Sequence, residues 1–341
     1  MPQPLLTGEA LRKFVFEEQT SITPLAENLI YRKSITIRSG DAGVGKSIFF
    51  ANLIRDLSLG IPVFNAFHCP KPVFCYYIPF ERGDYEIAQR LRGLSKTLEP
   101  AWSNVIIKPD FIGYDVYDGK QAKHLTETVT QDLVEVNKSG LQVVVFLDPI
   151  ISMVSGEIKE EKFAKAITRC ANIIQTRTGC ALELSNHTTK EASRRLGKGK
   201  QLTFDPFYGS QALKAFCTSG AYLNHNKEKD GVDMYSTKSS HGNVVDHIYL
   251  AYDPFTYSLY STRSDSGVRN YDKILAAVRA IHATGQREFA FSSVAKHPLC
   301  HGVSITSVKE TLLGEEPFKS GILPITGIGK PTLLRFSPKW T

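Results

Sequence analysis

The sequence lacks a long apolar segment, a close pair of cysteines and a strong excess of charge of either sign. Its apolar runs are short, as in residues 143–147, whereas a helix that spans a membrane needs about 20 apolar residues. The first residues contain no basic segment followed by an apolar stretch, which is the mark of a secretory signal. We therefore expect a cytoplasmic protein without a membrane partner.

None of the six cysteines belongs to a C-x-x-C pair, and most of them lie in apolar segments. This usage argues against a disulfide framework and predicts reduced, buried thiols. The six positions are Cys69, Cys75, Cys170, Cys180, Cys217 and Cys300.

The composition is that of an ordinary globular protein, with 42% hydrophobic and 22% charged residues, which excludes a disordered or collagen-like chain. At about 150 residues per domain, a length of 341 residues suggests two domains. The formal charge is +7, and residues 271–341 contribute more than half of that excess. A mildly basic balance is by itself weak evidence for a nucleic-acid partner.

Strand-like and helical patterns alternate through the first part of the chain, which predicts a mostly parallel, twisted sheet covered by helices. Strands are predicted near residues 34–39, 73–79, 105–108, 143–147 and 180–184, and helices near 48–59, 84–94, 120–138 and 163–174. From about residue 220 the rhythm changes to consecutive strands, which predicts antiparallel strands at one edge of the sheet. These strands are predicted at residues 221–224, 233–238, 247–252 and 257–260.

A polar, turn-rich stretch at residues 264–270 predicts a linker between two domains. The first domain then covers residues 1–263, with an N-terminal extension over residues 1–30. In residues 271–341, three helical patterns are followed by two strand-like runs that can pair. This order predicts a small winged-helix-like domain.

The segment from Gly40 to Ser47 matches the phosphate-binding pattern G-x-x-x-x-G-K-[ST]. Its glycines let backbone N–H groups approach phosphates, Lys46 can neutralise the β- and γ-phosphates, and Ser47 can bind Mg²⁺. A strand-like run before it and an amphipathic pattern after it distinguish it from a chance glycine-rich turn. The predicted nucleotide-binding residues are Gly40, Asp41, Ala42, Gly43, Val44, Gly45, Lys46 and Ser47.

Two carboxylates follow predicted strands at the edge of the sheet where open α/β sheets carry their sites. Asp148 comes directly after the strand at residues 143–147, which favours a Walker-B role as a metal-shell ligand over a turn-starting aspartate. Glu81 lies just past the strand at residues 73–79, which favours a catalytic base that activates water over a surface glutamate.

Five segments in order resemble motifs of the RepA-like ATPases, RecA/DnaB-type P-loop proteins (AAA_25-like) of plasmid and phage replication modules. Residues 80–92 resemble their E-D-D-x-x-E-I-x-x-R-L-R segment, and residues 147–151 their D-P-L end of the Walker-B strand. Residues 185–190, 209–213 and 238–242 resemble H-H-T-x-K, R-G-S-S-A-L and K-x-R-x-G. The resemblance extends over about residues 22–259.

The resemblance implies a RecA-like core that often forms a hexameric ring, with ATP and Mg²⁺ between subunits and single-stranded DNA in the channel. It implies that Glu81 is the catalytic base and that His187 senses the γ-phosphate, although a histidine that merely caps a strand is the alternative. Replication or recombination proteins are then possible partners.

The sequence departs from this family at two arginines that can reach into a neighbouring subunit's site. Their positions hold Tyr208 and Ser240 here. Lys238 remains and can take the place of an arginine finger, although its ammonium group acts only as a point charge and is weaker. Arg194 or Arg195 are alternative sources of positive charge. These two departures argue against strong ring-coupled hydrolysis.

A basic segment follows His187 directly, at the place where RecA-like proteins have a DNA-binding loop. The predicted DNA-binding residues are Lys190, Arg194, Arg195, Lys198 and Lys200. A flexible basic loop suits phosphate contacts without base reading, and a solvated surface loop is the alternative. For the C-terminal domain, binding of DNA and docking on a protein stay equally open.

Together these patterns predict an ATP-dependent motor ATPase acting on single-stranded DNA, of the RepA-like replicative helicase type. One alternative is a RecA-type ATPase that does not unwind DNA, such as a loader, a recombination mediator or a defence switch. The other is a DNA-binding regulator switched by ATP.

Overall fold

The computed structural model describes most of the chain from residue 23 onward. The described residues are 23–81, 103–137, 139–155, 160–188, 213, 215–226, 229–239, 247–254, 256–261, 270–284, 286–300, 305–314, 322–325 and 333–336. Among them, no helix combines the length and the apolar character that crossing a bilayer requires.

A nine-stranded sheet forms the centre of the first domain. Its strands are β3 (Ile35–Gly40), β4 (Phe74–Pro79), β5 (Val105–Ile107), β6 (Val143–Asp148), β7 (Ala181–His187), β8 (Ser219–Asn226), β9 (Gly231–Ser239), β10 (His247–Asp253) and β11 (Ser258–Ser261). The spatial order is β11-β10-β9-β8-β3-β7-β6-β4-β5. Strands β8, β3, β7, β6, β4 and β5 pair in parallel, whereas β8 to β11 pair antiparallel.

This topology confirms the predicted RecA-like α/β fold with a mostly parallel sheet and antiparallel edge strands. Every residue of β6 is buried, as expected of a β-branched and aromatic strand that is covered on both faces. The predicted helix at residues 84–94 lies outside the described residues.

Helices cover the two faces of the sheet and create two hydrophobic layers. On one face, α1 (Lys46–Leu59) packs with residues such as Phe50 against Phe146 of β6. On the other face, α2 (Gly119–Asn137) and α3 (Glu160–Thr178) pack over alternate residues of the same strands. The alternation of strand side chains between faces therefore assigns each site residue to one layer.

An N-terminal hairpin, β1 (Pro24–Ala26) and β2 (Ile30–Tyr31), was not expected from the sequence. All of it but Tyr31 lies within the region assigned to the N-terminal extension, yet Leu25 and Ile30 are buried in the layer around α1. Strands of two or three residues are too short to show a period, which explains why the pattern did not reveal them.

All six cysteines are buried thiols, as the sequence predicts. Burial raises the pKa of Cys69, Cys75, Cys170, Cys180 and Cys217, for example that of Cys180 to about 12. These thiols are therefore protonated and pack as small apolar side chains.

The C-terminal module consists of α4 (Asn270–Ala283), β12 (Glu288–Ala290), α5 (Phe291–Ala295), α6 (Ile305–Gly314), β13 (Ile322–Ile325) and β14 (Leu333–Phe336). The three strands form an antiparallel sheet in the order β12-β14-β13, so the predicted hairpin gains a third strand. Its hydrophobic core is its own, around Val278, Phe289 and Leu334. Three helices and this small sheet agree with the predicted outline, and the winged-helix assignment itself stays a prediction.

The module meets the first domain at the end of α1 that is far from the phosphate-binding loop. Arg55 and Leu59 of α1 line a small cavity together with Ala280, His297 and Pro298 of the module. The predicted linker residues 264–269 lie outside the described residues.

Candidate nucleotide-binding site

The phosphate-binding loop connects the end of β3 to the start of α1, and its backbone requires glycine at three positions. Gly43 and Gly45 have φ values of 79° and 95°, in the left-handed region that side chains disfavour. At Gly40, a Cβ atom would lie 2.6 Å from the carbonyl oxygen of Leu223 in β8. A loop of this backbone geometry at the amino end of a helix is typical of a phosphate cradle.

Lys46, the first residue of α1, is buried and holds the loop together from inside. Its Nζ donates to the carbonyl oxygens of Gly40 and Asp41, both at 2.9 Å, and lies 3.3 Å from Nδ1 of His187. Burial lowers the pKa of Lys46 to about 8, although the nearby charges of Asp148, Glu81 and Asp41 oppose the shift. The lysine is thus cationic at neutral pH and lies where three acidic groups converge.

Asp148 is the last residue of β6, and only 4% of it is exposed. The hydroxyl of Tyr77 in β4 donates to its Oδ2 over 2.9 Å. The backbone N–H of Phe80 donates to the Asp148 carbonyl oxygen over 2.8 Å, which ties the ends of β4 and β6 together. Among the described residues, Oδ1 of Asp148 has no hydrogen-bond partner.

The donor set suits a magnesium ion. Mg²⁺ prefers carboxylate and hydroxyl oxygens and usually keeps several waters. Ser47, in the first turn of α1, makes no side-chain hydrogen bond with the described residues, and Oδ1 of Asp148 is likewise unused. Both oxygens are therefore available to the metal and its waters, as the sequence prediction for Ser47 and Asp148 requires.

Glu81 lies two residues beyond β4, on the same edge of the sheet. Its Oε1 accepts a hydrogen bond of 2.7 Å from the Ser152 hydroxyl and lies 3.9 Å from Nε2 of His187. The Glu81 side chain is 42% exposed, so water can reach the carboxylate. The Ser152 hydroxyl thus holds in place the carboxylate that the sequence predicts to be the base.

His187 ends β7 and pairs in register with Gly40 of β3. One ring nitrogen faces Lys46 and the other faces Glu81. Burial, then the positive charge of Lys46, lowers the pKa of His187 below its ordinary value, so the ring is neutral at pH 7. The next residue, Thr188, donates from its hydroxyl to the Asp41 carboxylate, which joins the end of β7 to the phosphate-binding loop.

Four of the predicted catalytic residues thus lie together, and the fifth does not. Lys238 in β9 pairs with Gly220 in β8, which in turn pairs with Ile37 of β3, three residues before Gly40. Its Nζ donates to the Cys217 carbonyl oxygen. Lys238 therefore lies towards the opposite end of β3 from the phosphate-binding loop of its own chain.

The predicted DNA-binding residues lie outside the described residues, as do the two departures from the arginine positions. These are Lys190, Arg194, Arg195, Lys198 and Lys200, and Tyr208 and Ser240.

Three site residues were not identified from the sequence: Tyr77, Ser152 and Thr188. Tyr77 belongs to a strand whose pattern is simply apolar, and Ser152 lies in a short 3-10 helix, Ile150–Met153. Only Thr188, next to His187 in a motif-like segment, carried a usable signal. The roles of Tyr77 and Ser152 depend on the pairing of distant strands, which no local pattern shows.

Comparison with known proteins supports the same fold. A family model, AAA_25, described as an AAA domain, matches residues 5–193, which is more than half of the chain. The ATPase domain of G40P matches with a TM-score of 0.53 and 14% identity, over 74% of this chain and 97% of that one. A DnaB-like replicative helicase, described with its interactions with primase, matches with a TM-score of 0.52 and 14% identity, over 74% of this chain and 66% of that one.

At this level of identity, the two solved structures establish the fold alone. No curated protein sequence matches the chain.

Proposed function

Because this chain belongs to the AAA_25 family of AAA domains, we propose that it is an ATP- and Mg²⁺-dependent motor ATPase acting on single-stranded DNA, of the RepA-like replicative helicase type. The observation that carries the proposal is the convergence of Lys46, Asp148, Glu81 and His187 at one edge of the sheet. A base, a metal ligand and a phosphate-binding lysine within reach of one another are what hydrolysis of a phosphoanhydride needs.

In the proposed mechanism, Lys46 leaves the carbonyl oxygens of Gly40 and Asp41 and binds the β- and γ-phosphates. Ser47 and Asp148 hold the magnesium ion, which supplies charge neutralisation when bound. Glu81 orients the attacking water and accepts its proton, and the Ser152 hydroxyl keeps the carboxylate in place. These steps assign to each side chain a task that its position and charge permit.

His187 links the nucleotide to the segment that follows it. When Lys46 moves to the phosphates, its contact with Nδ1 of His187 is exchanged for a contact with the nucleotide. The change occurs at the end of β7, immediately before the basic segment with Lys190, Arg194, Arg195, Lys198 and Lys200. Contact of that segment with DNA phosphates is part of the proposal.

The position of Lys238 supports a homo-oligomer. This lysine lies away from the phosphate-binding loop of its own chain, so a role as a finger requires a neighbouring subunit's nucleotide. A hexameric ring meets that requirement. By analogy with the DnaB-like helicase, we also propose a replication protein such as a primase as a partner. We propose a cytoplasmic location on the same analogy.

The test compares DNA-stimulated ATPase activity in the wild type and in Glu81→Gln, which keeps the size of the side chain but removes the base. We expect single-stranded DNA to stimulate the wild type and the variant to lose at least about 100-fold of the rate while still binding ATP. Equal rates in both proteins would overturn the mechanism.

A second candidate, an ATPase that binds DNA without unwinding it, is favoured by one observation. Tyr208 and Ser240 stand where the resembled family has arginines that can act as arginine fingers. Lys238 is a weaker substitute, because its ammonium group lacks the planar, bidentate geometry of a guanidinium. A strand-displacement assay separates the two candidates. Nucleotide-dependent DNA binding without strand displacement would identify the loader, mediator or switch. Protection of one duplex sequence in a footprinting experiment would instead identify an ATP-switched regulator.

A further inference from the structure

Two consecutive tyrosines in β4 each donate a hydrogen bond to an aspartate, but on opposite faces of the sheet. The Tyr76 hydroxyl donates to Oδ2 of Asp132 in α2 over 2.6 Å. The Tyr77 hydroxyl donates to Oδ2 of Asp148 over 2.9 Å, in the layer around α1 and the phosphate-binding loop. Only Tyr77 therefore reaches a residue of the nucleotide site.

The hydrogen bond between Tyr77 and Asp148 restrains the orientation of the Asp148 carboxylate, on which metal binding depends. Both residues are buried, with 8% and 4% exposed. The terminal torsion of an aspartate has a broad preference, so a free carboxylate at a strand end samples several orientations. A hydrogen bond to Oδ2 selects one of them and leaves Oδ1, which has no partner among the described residues, for the metal or its water.

We propose that Tyr77 is a positioning residue for the magnesium site: its hydroxyl holds Oδ2 of Asp148 so that Oδ1 serves the metal shell. The inference rests on the proposed function, because it assumes that Ser47 and Asp148 bind Mg²⁺ together with a nucleotide. Removal of a group that hydrogen-bonds to a metal ligand and orients it typically lowers metal affinity about 10- to 100-fold.

Tyr77 then acts on the metal through Asp148 and does not contact the nucleotide. Its loss should therefore weaken the metal and leave metal-free nucleotide binding unchanged. A purely structural tyrosine would behave differently, since its loss would lower the melting temperature without selecting the metal.

The experiment measures binding of Mn²⁺, as a paramagnetic substitute for Mg²⁺, by electron paramagnetic resonance in the presence of a slowly hydrolysed ATP analogue. We expect Tyr77→Phe to raise the Mn²⁺ dissociation constant at least tenfold relative to the wild type. Binding of the analogue in EDTA should stay within twofold. Phenylalanine removes one oxygen and no carbon, so the core remains filled, and melting curves verify folding.

Tyr76→Phe is the matched control, because it removes an equivalent tyrosine–aspartate bond from the same strand on the other face. We expect its Mn²⁺ dissociation constant to stay within twofold of the wild-type value. A second measurement uses Asp148→Asn: in that background Tyr77→Phe should add less than twofold, since the residue through which it acts is already altered.

Wild-type Mn²⁺ affinity in Tyr77→Phe, or equal losses in Tyr77→Phe and Tyr76→Phe, would overturn the inference and leave the proposed function intact. Failure of the wild type itself to bind Mn²⁺ with the analogue would overturn the proposed function, and this inference with it.

Discussion

At the nucleotide-binding edge of the central sheet, hydrogen bonds link residues of β4 to β6 and residues of α1 to β3 and β7. In the C-terminal module, by contrast, helices and strands pack around a small core of their own. The module meets the first domain at the far end of α1. Distant strands are therefore tightly coupled at this edge, whereas the module contacts the first domain at a small cavity that residues of α1 and β11 line.

The energetic character of the two regions differs as well. Below the nucleotide site, Arg38 of β3 pairs with Glu183 of β7 at 2.9 Å, with both side chains almost fully buried. In the module, Arg335 of β14 pairs with Glu288 of β12 while both side chains are largely exposed. Breaking a buried pair costs several kcal/mol, whereas an exposed pair contributes about 0–1 kcal/mol. Changes near the site should therefore have larger effects than changes in the module.

The largest expected effect on ATP binding is that of Lys46→Ala. Charge-assisted hydrogen bonds contribute about 1.5–3 kcal/mol each, so loss of the lysine should weaken Mg·ATP binding by about 10- to 150-fold. Isothermal titration calorimetry measures the change. Lys123→Ala, on the exposed face of α2, is the control and should bind ATP as the wild type does. Unchanged affinity in Lys46→Ala would contradict the assigned phosphate site.

The pH dependence of ATP binding should also report on Lys46. Its pKa in the free protein is about 8, and a bound triphosphate raises that pKa because it favours the charged form. ATP affinity should therefore fall by up to tenfold per pH unit above pH 8.

Lys46→Arg tests this assignment, because a guanidinium stays charged throughout the range. Whatever its absolute affinity, its profile should be flat between pH 8 and 9.5. A slope equal to that of the wild type would show that another group titrates.

The contact between the module and α1 should weaken in acid. Burial, and to a lesser extent the charge of Arg55, lowers the pKa of His297 to about 4 from its ordinary 6.5. The unfolded chain therefore binds a proton more readily than the folded protein. The stability due to neutral His297 is fully present above pH 6.5 and is lost as pH falls from 6.5 towards 4.

We expect the melting temperature to drop between pH 7 and pH 5, and the drop to be about 2–4 °C smaller in His297→Gln, which does not titrate. His187, whose pKa is also lowered, contributes a decrease of the same sign that the variant keeps. Identical pH profiles in the two proteins would argue that the His297 contact contributes nothing to stability.

The smallest expected effect is that of Arg335→Ala. An exposed pair contributes less than about 1 kcal/mol, so the melting temperature should fall by no more than a few degrees and ATP binding should not change. Differential scanning calorimetry and the same ATP titration check both expectations. A loss of ATP affinity would mean that the module is coupled to the site more strongly than its contact with α1 suggests.

Strands β3, β4, β6 and β7 were predictable because each has six or seven residues, which is enough to show a pattern. Asp148 and His187 each close a buried strand, so their place at the carboxyl edge followed from the alternation of strands and helices. The hairpin of β1 and β2 and the strand β12 were not predictable, since two or three residues show no period.

The sequence by itself determined the class of fold, the phosphate-binding loop and the acidic strand ends, because these depend on local order: a glycine pattern, a strand, a helix. Only the tertiary structure decided which hydroxyls serve those residues, and that Lys46 contacts His187 while Lys238 lies elsewhere. Tyr77 and Asp148 are 71 residues apart. Their contact exists because β4 and β6 pair in one register, and register is a property of the assembled sheet.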